Sequence, residues 1–410
     1  MHQWPYYSEN EIAAVAAVLR SGKVNYWTGD EVHKFEKEFA DFCHTKYAVA
    51  VANGTVALEL ALRALEIGPG DEVVVPSSTF VATASAVALC GARAVFADVD
   101  QDSQNITADT IRPVISPRTK AIITVHLAGW PCEMEPILEL ASMHNLKIIE
   151  DCAQAHGATY KGRSVGSIGD VAAFSFCQDK IISTGGEGGM LVTNNPQVWE
   201  KAWSFKDHGK SFAAVNNRHH KPGFRWLHNS FGTNSRMTEM QAAIGRLQLK
   251  ALPEWHSRRR QIATRLTRCF EKIPALRVVR PPAHIEHAYY KYDVFVRPEV
   301  LKTGWSRDLI MQAINREGVP CFTGPCSEVY LEKAFESNKL RPVHRLPVAR
   351  KLGETELAFL VHPTLSDEEV EATCEAVENV LMDVMKKSQY VNKEYKQIRE
   401  KEEVIVTGFL

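Results

Sequence analysis

The stretch FSFCQDKIISTGGEGG, residues 174–189, sets one lysine between a strand-like apolar run and a cluster of four glycines. Such a segment reads as a tight surface turn, a phosphate-binding loop, or the seat of a covalent cofactor. A lysine at the carboxyl edge of a sheet, beside apolar neighbours, can act as an amine nucleophile. A solvated surface lysine is the ordinary alternative. Gly185, Gly186, Gly188 and Gly189 let backbone pass close to a ligand, or turn the chain into a following strand. The surrounding sequence has to decide.

On both sides of this stretch, short β-rich runs alternate with helical patterns. The runs are KYAVAVAN (46–53), EVVVPS (72–77), AVFADV (94–99), AIITVHL (121–127), KIIED (147–151), VAAFSF (171–176) and GMLVTN (189–194). Most are continuously apolar, as strands buried on both faces must be. Between them lie TVALELALRAL (55–65), ATASAVALC (82–90) and MEPILELASMHN (134–145), which read as helices. Alternation of this kind predicts an α/β fold with one mainly parallel, seven-stranded sheet covered by helices.

Past residue 195 the texture changes. A polar, His-rich stretch (206–224) reads as a long functional loop. One helix follows at 237–252 and a second, basic one at 255–272. The expected division is a large domain over 1–250 and a smaller C-terminal α+β domain over 251–385. The last helix is expected to start at Ser366, with Glu369 completing a capping box. Its buried face would carry Val370, Cys374, Val377, Leu381 and Val384. Residues 386–410 are mostly charged and read as a loosely attached tail.

Composition narrows the function. A chain of 410 residues exceeds what one hydrophobic core usually supports. Its 48 Lys+Arg balance 49 Asp+Glu with no basic stripe, which argues against a nucleic-acid partner. The start, MHQWPYYSENEIAAV, lacks signal-peptide character, and no run approaches the roughly 18 apolar residues of a membrane span. Nine scattered cysteines, without CxxC pairs or zinc spacing, read as reduced thiols of a cytoplasmic protein. His219-His220 reads as solvated, and no metal is expected.

Chemically useful residues cluster at strand ends, where open α/β sheets bind ligands. Asn53-Gly54-Thr55 ends one strand and opens a helix, which suits a phosphate or is an ordinary cap. Asp151 closes an apolar strand; it wants a pyridinium-like cation, a salt bridge to a nearby Arg, or a helix cap. Ser175 ends VAAFSF, and Lys180 follows five residues later. With Phe80 beyond another strand, this order of parts meets the needs of pyridoxal 5'-phosphate (PLP). That cofactor requires a phosphate cup, a ring-stacking face, an anion at its ring nitrogen and a lysine that forms a Schiff base.

The chain resembles the DegT/DnrJ/StrS-type family of PLP-dependent sugar-nucleotide aminotransferases, of fold-type I, over roughly residues 5 to 385. The resemblance rests on SGKVNYWTG (21–29), NGTVALELAL (53–62), GDEVVVPSSTFVAT (70–83), PRTKAIITVHLAG (117–129), IIEDCAQAHGA (148–158), FSFCQDKIISTGGEGGMLVTN (174–194) and GTNSRMTEMQAAIG (232–245). It implies that Lys180 is the covalent anchor and Asp151 the partner of the ring nitrogen. Gln154 would contact the O3′ side and Phe80 would stack on the ring. Gly54, Thr55 and Ser175 would hold the phosphate, and Asn234 would reach it from a second subunit, making a homodimer. The same resemblance implies L-glutamate as amino donor, with the cofactor passing through pyridoxamine 5'-phosphate, and a nucleotide-diphosphate keto-sugar as acceptor. The glycines would then give a bulky sugar nucleotide room to approach.

Related dehydratases carry His in place of the anchoring lysine, and a non-catalytic regulator would be expected to lose Lys180 or Asp151. Neither is lost. Gly186-Glu187-Gly188-Gly189 resembles the GEGG of enzymes acting at C4, whereas GDGG or GDAG marks those acting at C3. The expected product is therefore a 4-amino-4,6-dideoxy sugar made from a 4-keto-6-deoxyhexose for surface polysaccharide or glycan synthesis. Cys177 and the loop VPCFTGPCSEVY (319–330) depart from the family's commoner residues. Trp4, Tyr6, Tyr7, Tyr26 and Trp27 either line a sugar site or pin the N-terminal arm.

Overall fold

The computed structural model describes residues 3–217, 219 and 223–386. Seven strands build its main sheet: β1 (Tyr47–Val51), β2 (Glu72–Pro76), β3 (Arg93–Ala97), β4 (Thr119–Val125), β5 (Lys147–Asp151), β6 (Val171–Ser175) and β7 (Gly189–Thr193). Their order is β1-β7-β6-β5-β4-β2-β3. Strands β2 to β6 run parallel to one another, and β7 runs antiparallel to both of its neighbours.

Every residue of β2, β6 and β7 is buried, which is why these runs read as apolar throughout. Alternate residues feed opposite layers. Val73 and Val75 pack in one core with Ala57, Leu58 and Leu62 of the helix Gly54–Ala64. Val74 points the other way, toward Ile137 and Leu140 of the helix Met134–His144. Phe35 and Phe39 of the helix Glu31–Cys43 cover Phe174 and Phe176 on that same side.

The two helices expected at 237–252 and 255–272 are one helix, Glu239–Phe270, with Pro253 inside it. A proline within a helix loses one hydrogen bond and costs about 3 kcal/mol. Here Leu249, Leu252, His256 and Ile262 are buried on both sides of it, so burial outweighs the break. The expected division between residues 250 and 251 falls inside this helix.

A second sheet follows: β8 (Leu276–Arg277), β9 (Tyr292–Val296), β10 (Cys321–Phe322) and β11 (Glu356–Phe359), antiparallel in the order β8-β9-β11-β10. It packs with Phe270 of the long helix and with the last helix, Asp367–Val384. That helix opens on the Ser366–Glu369 capping box, and Val370, Cys374, Val377, Leu381 and Val384 are all buried. His220 and the tail beyond Lys386 lie outside the described residues. Among the described residues no helix is long and apolar enough to cross a membrane.

Candidate active site

The carboxyl ends of β5 and β6 and the start of the helix Gly54–Ala64 converge on one place. Asn53 caps that helix, accepting from Val56 N at 2.9 Å, and leaves the Gly54 and Thr55 N–H groups without an intrahelical partner. Gly54 sits so close to β6 that a Cβ there would lie 2.6 Å from Ser175 Cβ. The Ser175 hydroxyl, at the end of β6, accepts from Cys177 N at 3.3 Å.

After β6 the chain loops out and returns: Phe176 N donates to Gly188 O at 2.8 Å, and Thr184 N to Phe176 O at 3.1 Å. Lys180 rides on this loop, its N–H bonded to Cys177 O. The glycines have two different jobs. Gly185 and Gly186 take positive φ, +81° and +111°. Gly188 and Gly189 are pressed against backbone and side chain: a Cβ would meet Thr184 Oγ1 at 2.0 Å and Asn53 O at 2.4 Å respectively. Of the four, only Gly186 faces open space. Room for a bulky ligand therefore accounts for one glycine, and internal packing and turning account for the rest.

Asp151 is buried, and among the described residues no ion pair reaches it. Its Oδ2 accepts from Thr83 Oγ1 at 2.9 Å and its Oδ1 from Ala153 N at 3.2 Å. Burial raises its pKa above the ordinary carboxylate value, while Thr83, Ala153 and the charge of Lys180 oppose the rise. Gln154, one turn beyond, accepts from Ala128 N at 2.7 Å. Phe80, just before the helix Val81–Leu89, is 66% exposed.

Lys180 is not the solvated lysine of the bland reading: its side chain is 15% exposed. Its Nζ lies 3.6 Å from Asp179 Oδ1 and 4.9 Å from the centre of the Tyr290 ring. The Tyr290 hydroxyl donates to Asp179. Burial opposes ionisation of Asp179, yet Lys180, Tyr290 and Lys291 together hold its pKa below the usual range.

The chain matches the DegT/DnrJ/EryC1/StrS aminotransferase family over residues 5–378. It belongs to that family. It is 37% identical to the spore coat polysaccharide biosynthesis protein SpsC of Bacillus subtilis, covering 92% of this chain and 96% of that one. It is 36% identical to the dTDP-3-amino-3,4,6-trideoxy-alpha-D-glucose transaminase of Streptomyces venezuelae, covering 86% and 87%. Among solved structures, an aminotransferase from Psychrobacter cryohalolentis superposes with a TM-score of 0.92 at 54% identity, covering 93% of this chain and 99% of the other. A sugar aminotransferase from Streptococcus pneumoniae, solved in its PMP-form, gives 0.84 at 28% identity, covering 93% and 98%.

The protein is thus a PLP-dependent transaminase. The donor set suits that cofactor: open N–H groups at a helix start, a buried carboxylate lacking a cation, an exposed aromatic ring and a shielded amine. Like other members of the aminotransferase family it folds as α/β with a large, mostly parallel sheet.

Of the residues expected from sequence, Gly54, Ser175, Asp151, Gln154 and Lys180 lie on neighbouring strand ends and loops of the main sheet. Thr55 opens the same helix as Gly54. Asn234 stands apart in kind: it is exposed, forms a β-bridge with Asp207, and among the described residues no hydrogen bond joins it to Gly54, Thr55 or Ser175. Trp4 and Tyr7 pin the N-terminal arm to the lysine loop. Trp4 Nε1 donates to Lys180 O at 2.9 Å, and the Tyr7 hydroxyl meets Ser183 Oγ at 3.0 Å. Both border a cavity of about 540 Å³ with Pro5, Gln178, Gly185 and Gly186. Tyr26 is buried, accepting from Trp203 Nε1.

Sequence reasoning missed Thr83, Asp179 and Tyr290. Thr83 stands within the quoted segment 70–83, where a hydroxyl one turn into a helix could have been paired with a strand-end Asp. Tyr290 is 110 residues from Lys180 in sequence, and no local signal connects them.

Among the described residues His126, Glu150 and Cys152 form the one group with potential metal-ligand spacing. Its hydrogen bonds are already committed. Cys132 N donates to His126 Nδ1, so His126 Nε2 carries the proton given to Glu150 Oε2 at 3.0 Å. Gly166, Ile168 and Gly169 supply further N–H donors to Glu150.

Proposed function

We propose that this enzyme moves an amino group from L-glutamate to a nucleotide-diphosphate-linked keto-sugar. The acceptor is a 4-keto-6-deoxyhexose, and the product is a 4-amino-4,6-dideoxy sugar for surface polysaccharide or glycan synthesis in the cytoplasm. The carrying observation is the buried, cation-free carboxylate of Asp151 at the strand end beside the lysine loop.

In this reading PLP, when bound, supplies an electron sink and carries nitrogen between the two substrates. Asp151, oriented by Thr83 and Ala153 N–H, keeps negative charge beside the ring nitrogen. The N–H groups of Gly54 and Thr55 and the Ser175 hydroxyl hold the phosphate, and Asn234 of a second subunit completes the cup. Phe80 covers one ring face and Gln154 holds the O3′ side. Lys180 Nζ anchors the cofactor and afterwards moves the substrate's proton. Asp179 keeps a countercharge at that amine. Residues 1–250 serve as the cofactor-binding domain and 251–385 as a smaller domain beside it.

The C4 position rests on the resemblance of Gly186-Glu187-Gly188-Gly189 to the GEGG pattern. A 3-keto acceptor is the second reading, supported by the name of the Streptomyces relative. The test incubates the enzyme with glutamate and a panel of 3-keto and 4-keto sugar nucleotides. Formation of 2-oxoglutarate is followed, and the new C–N bond is located by NMR. Nitrogen at C3 overturns the position. No 2-oxoglutarate with any keto-sugar overturns the aminotransfer to sugars.

A further inference from the structure

The indole of Trp4 lies between the lysine loop and the segment that joins β11 to the last helix. Its Nε1 donates to Lys180 O at 2.9 Å, across 176 positions of sequence. The same side chain meets Trp255 edge-on at 5.1 Å and stacks with His362 at 6.2 Å, centre to centre. Next to it Gln3 O accepts from Thr364 Oγ1 at 3.1 Å, which anchors the arm to that joining segment.

The amine end of Lys180 has a support of its own, the Tyr290 ring 4.9 Å from Nζ, whose hydroxyl donates to Asp179. Arg259 joins the two supports. It is buried, its Nη1 donates to Tyr289 O at 3.1 Å, and its guanidinium carbon lies 5.4 Å from the centre of the Trp4 ring. The contacts close a circuit: Lys180 carbonyl, Trp4, Arg259, the Tyr289-Tyr290 segment and the Lys180 amine. A lysine stem is flexible, so the place of its amine depends on where its main chain is fixed. Lys180 lies in neither helix nor strand, and its N–H is bonded only within its own loop, to Cys177 O at 3.1 Å. Its carbonyl is held from outside that loop, by Trp4. Displacing a reacting group by about 1 Å can cost roughly 100-fold in rate, so such a hold matters to the chemistry.

We infer that Trp4 is a positioning residue for the Lys180 amine. Its N–H fixes the lysine's carbonyl, and Arg259 braces the indole against the Tyr289-Tyr290 segment that faces the amine. The inference rests on the assignment of Lys180 as cofactor anchor. An arm that only packed against the core would need the Trp4 ring, whereas this role needs the Trp4 donor.

The test separates donor from ring. Trp4→Phe keeps an aromatic ring and removes the donor. Trp4→Gln removes the ring and sets an amide N–H as many bonds from Cα as the indole N–H. Each PLP-loaded variant is mixed with glutamate alone, and the single-turnover rate of 2-oxoglutarate formation is followed. The near-visible circular dichroism of the bound cofactor is recorded beside it and decides the matter whether or not glutamate is the donor. Expected for Trp4→Phe is a limiting rate lower by roughly 3- to 10-fold, with half-saturating glutamate within about twofold. Its circular dichroism should weaken at unchanged absorbance. Trp4→Gln should stay closer to wild type in both signals, although it melts lower. Wild-type circular dichroism in Trp4→Phe, or a larger loss in Trp4→Gln than in Trp4→Phe, overturns the inference. Borohydride reduction of the wild type with peptide mapping checks the anchor separately. Cofactor fixed on a residue other than Lys180 ends that assignment and the inference with it; cofactor on Lys180 with an unaffected Trp4→Phe ends the inference alone.

Discussion

Thr83 Oγ1 donates to Asp151 Oδ2 at 2.9 Å, and Thr79 Oγ1 stands 2.8 Å behind it. While Asp151 is ionised it can only accept, so the Thr83 proton points to it and Thr79 donates to Thr83. This relay from Thr79 and the helix Val81–Leu89 partly offsets the desolvation of a carboxylate that no ion pair reaches among the described residues.

Replacing Thr83 with Val keeps the shape and removes the donor. A hydrogen bond to a charged group contributes about 1.5–3 kcal/mol. Thr83→Val should therefore weaken PLP retention by roughly 10–100-fold, with little change in the circular dichroism spectrum. Dialysis followed by absorbance titration of the cofactor measures it. Unaltered affinity would mean the relay does not serve the charged state of Asp151.

Lys180→Ala should abolish turnover and the near-visible absorption band that survives dialysis in the wild type. The fold should remain, because the side chain's ion pair with Asp179 is loose, 3.6 Å, and sits on a loop held by backbone bonds. Absorbance, melting temperature and 2-oxoglutarate formation check the three parts. A variant that still turns over would remove Lys180 from the chemistry.

The second sheet holds an acid pair with buried carboxyl oxygens, Asp293 and Glu356, whose titration should show in the pH dependence of stability. The Gln104 amide donates to Glu356 Oε1 at 2.8 Å and to Asp293 Oδ2 at 3.4 Å, while Asp293 Oδ1 and Glu356 Oε2 have no hydrogen-bond partner among the described residues. Burial pushes Asp293 up to about 7 despite nearby Lys291. Burial and the Asp293 charge push Glu356 up as well, against Gln104 and Arg307. The folded pKa lies above the unfolded one, so the native state holds more protons between pH ~4 and ~7 and stability falls as pH rises through that window. Glu356→Gln removes one charge and should raise the melting temperature by roughly a few degrees at pH 8, with much less change at pH 5. Equal shifts at both pH values would contradict the raised pKa of this pair.

What the sequence made legible follows from period and burial. EVVVP reads as a strand because both faces are covered, and its five residues are buried. The order of strands is another matter: nothing within GMLVT says that β7 enters antiparallel between β1 and β6, since that is decided by pairing across the sheet. Pro253 signalled a break that packing overrode. Asp151, Ser175 and Lys180 could be proposed from sequence because each stands at or just past a strand end and carries its chemistry locally. Tyr290 could not, because it meets the lysine loop from a distant segment and its residue type signals no partner by itself.

The last prediction concerns sharing of the site between subunits. If Asn234 completes the phosphate cup of a partner, Asn234→Ala should lose PLP affinity although its own strand ends are untouched. Mixing it with Lys180→Ala gives a sharper outcome. In a mixed dimer, one site combines the intact lysine of the first subunit with the intact asparagine of the second, and the other site carries both defects. After random subunit exchange half the dimers are mixed, so about a quarter of all sites are wild type. Activity of the exchanged mixture should exceed the sum of the two variants measured separately, approaching that quarter. An additive mixture, with exchange verified by mass spectrometry, would place Asn234 in its own subunit's site or outside any site.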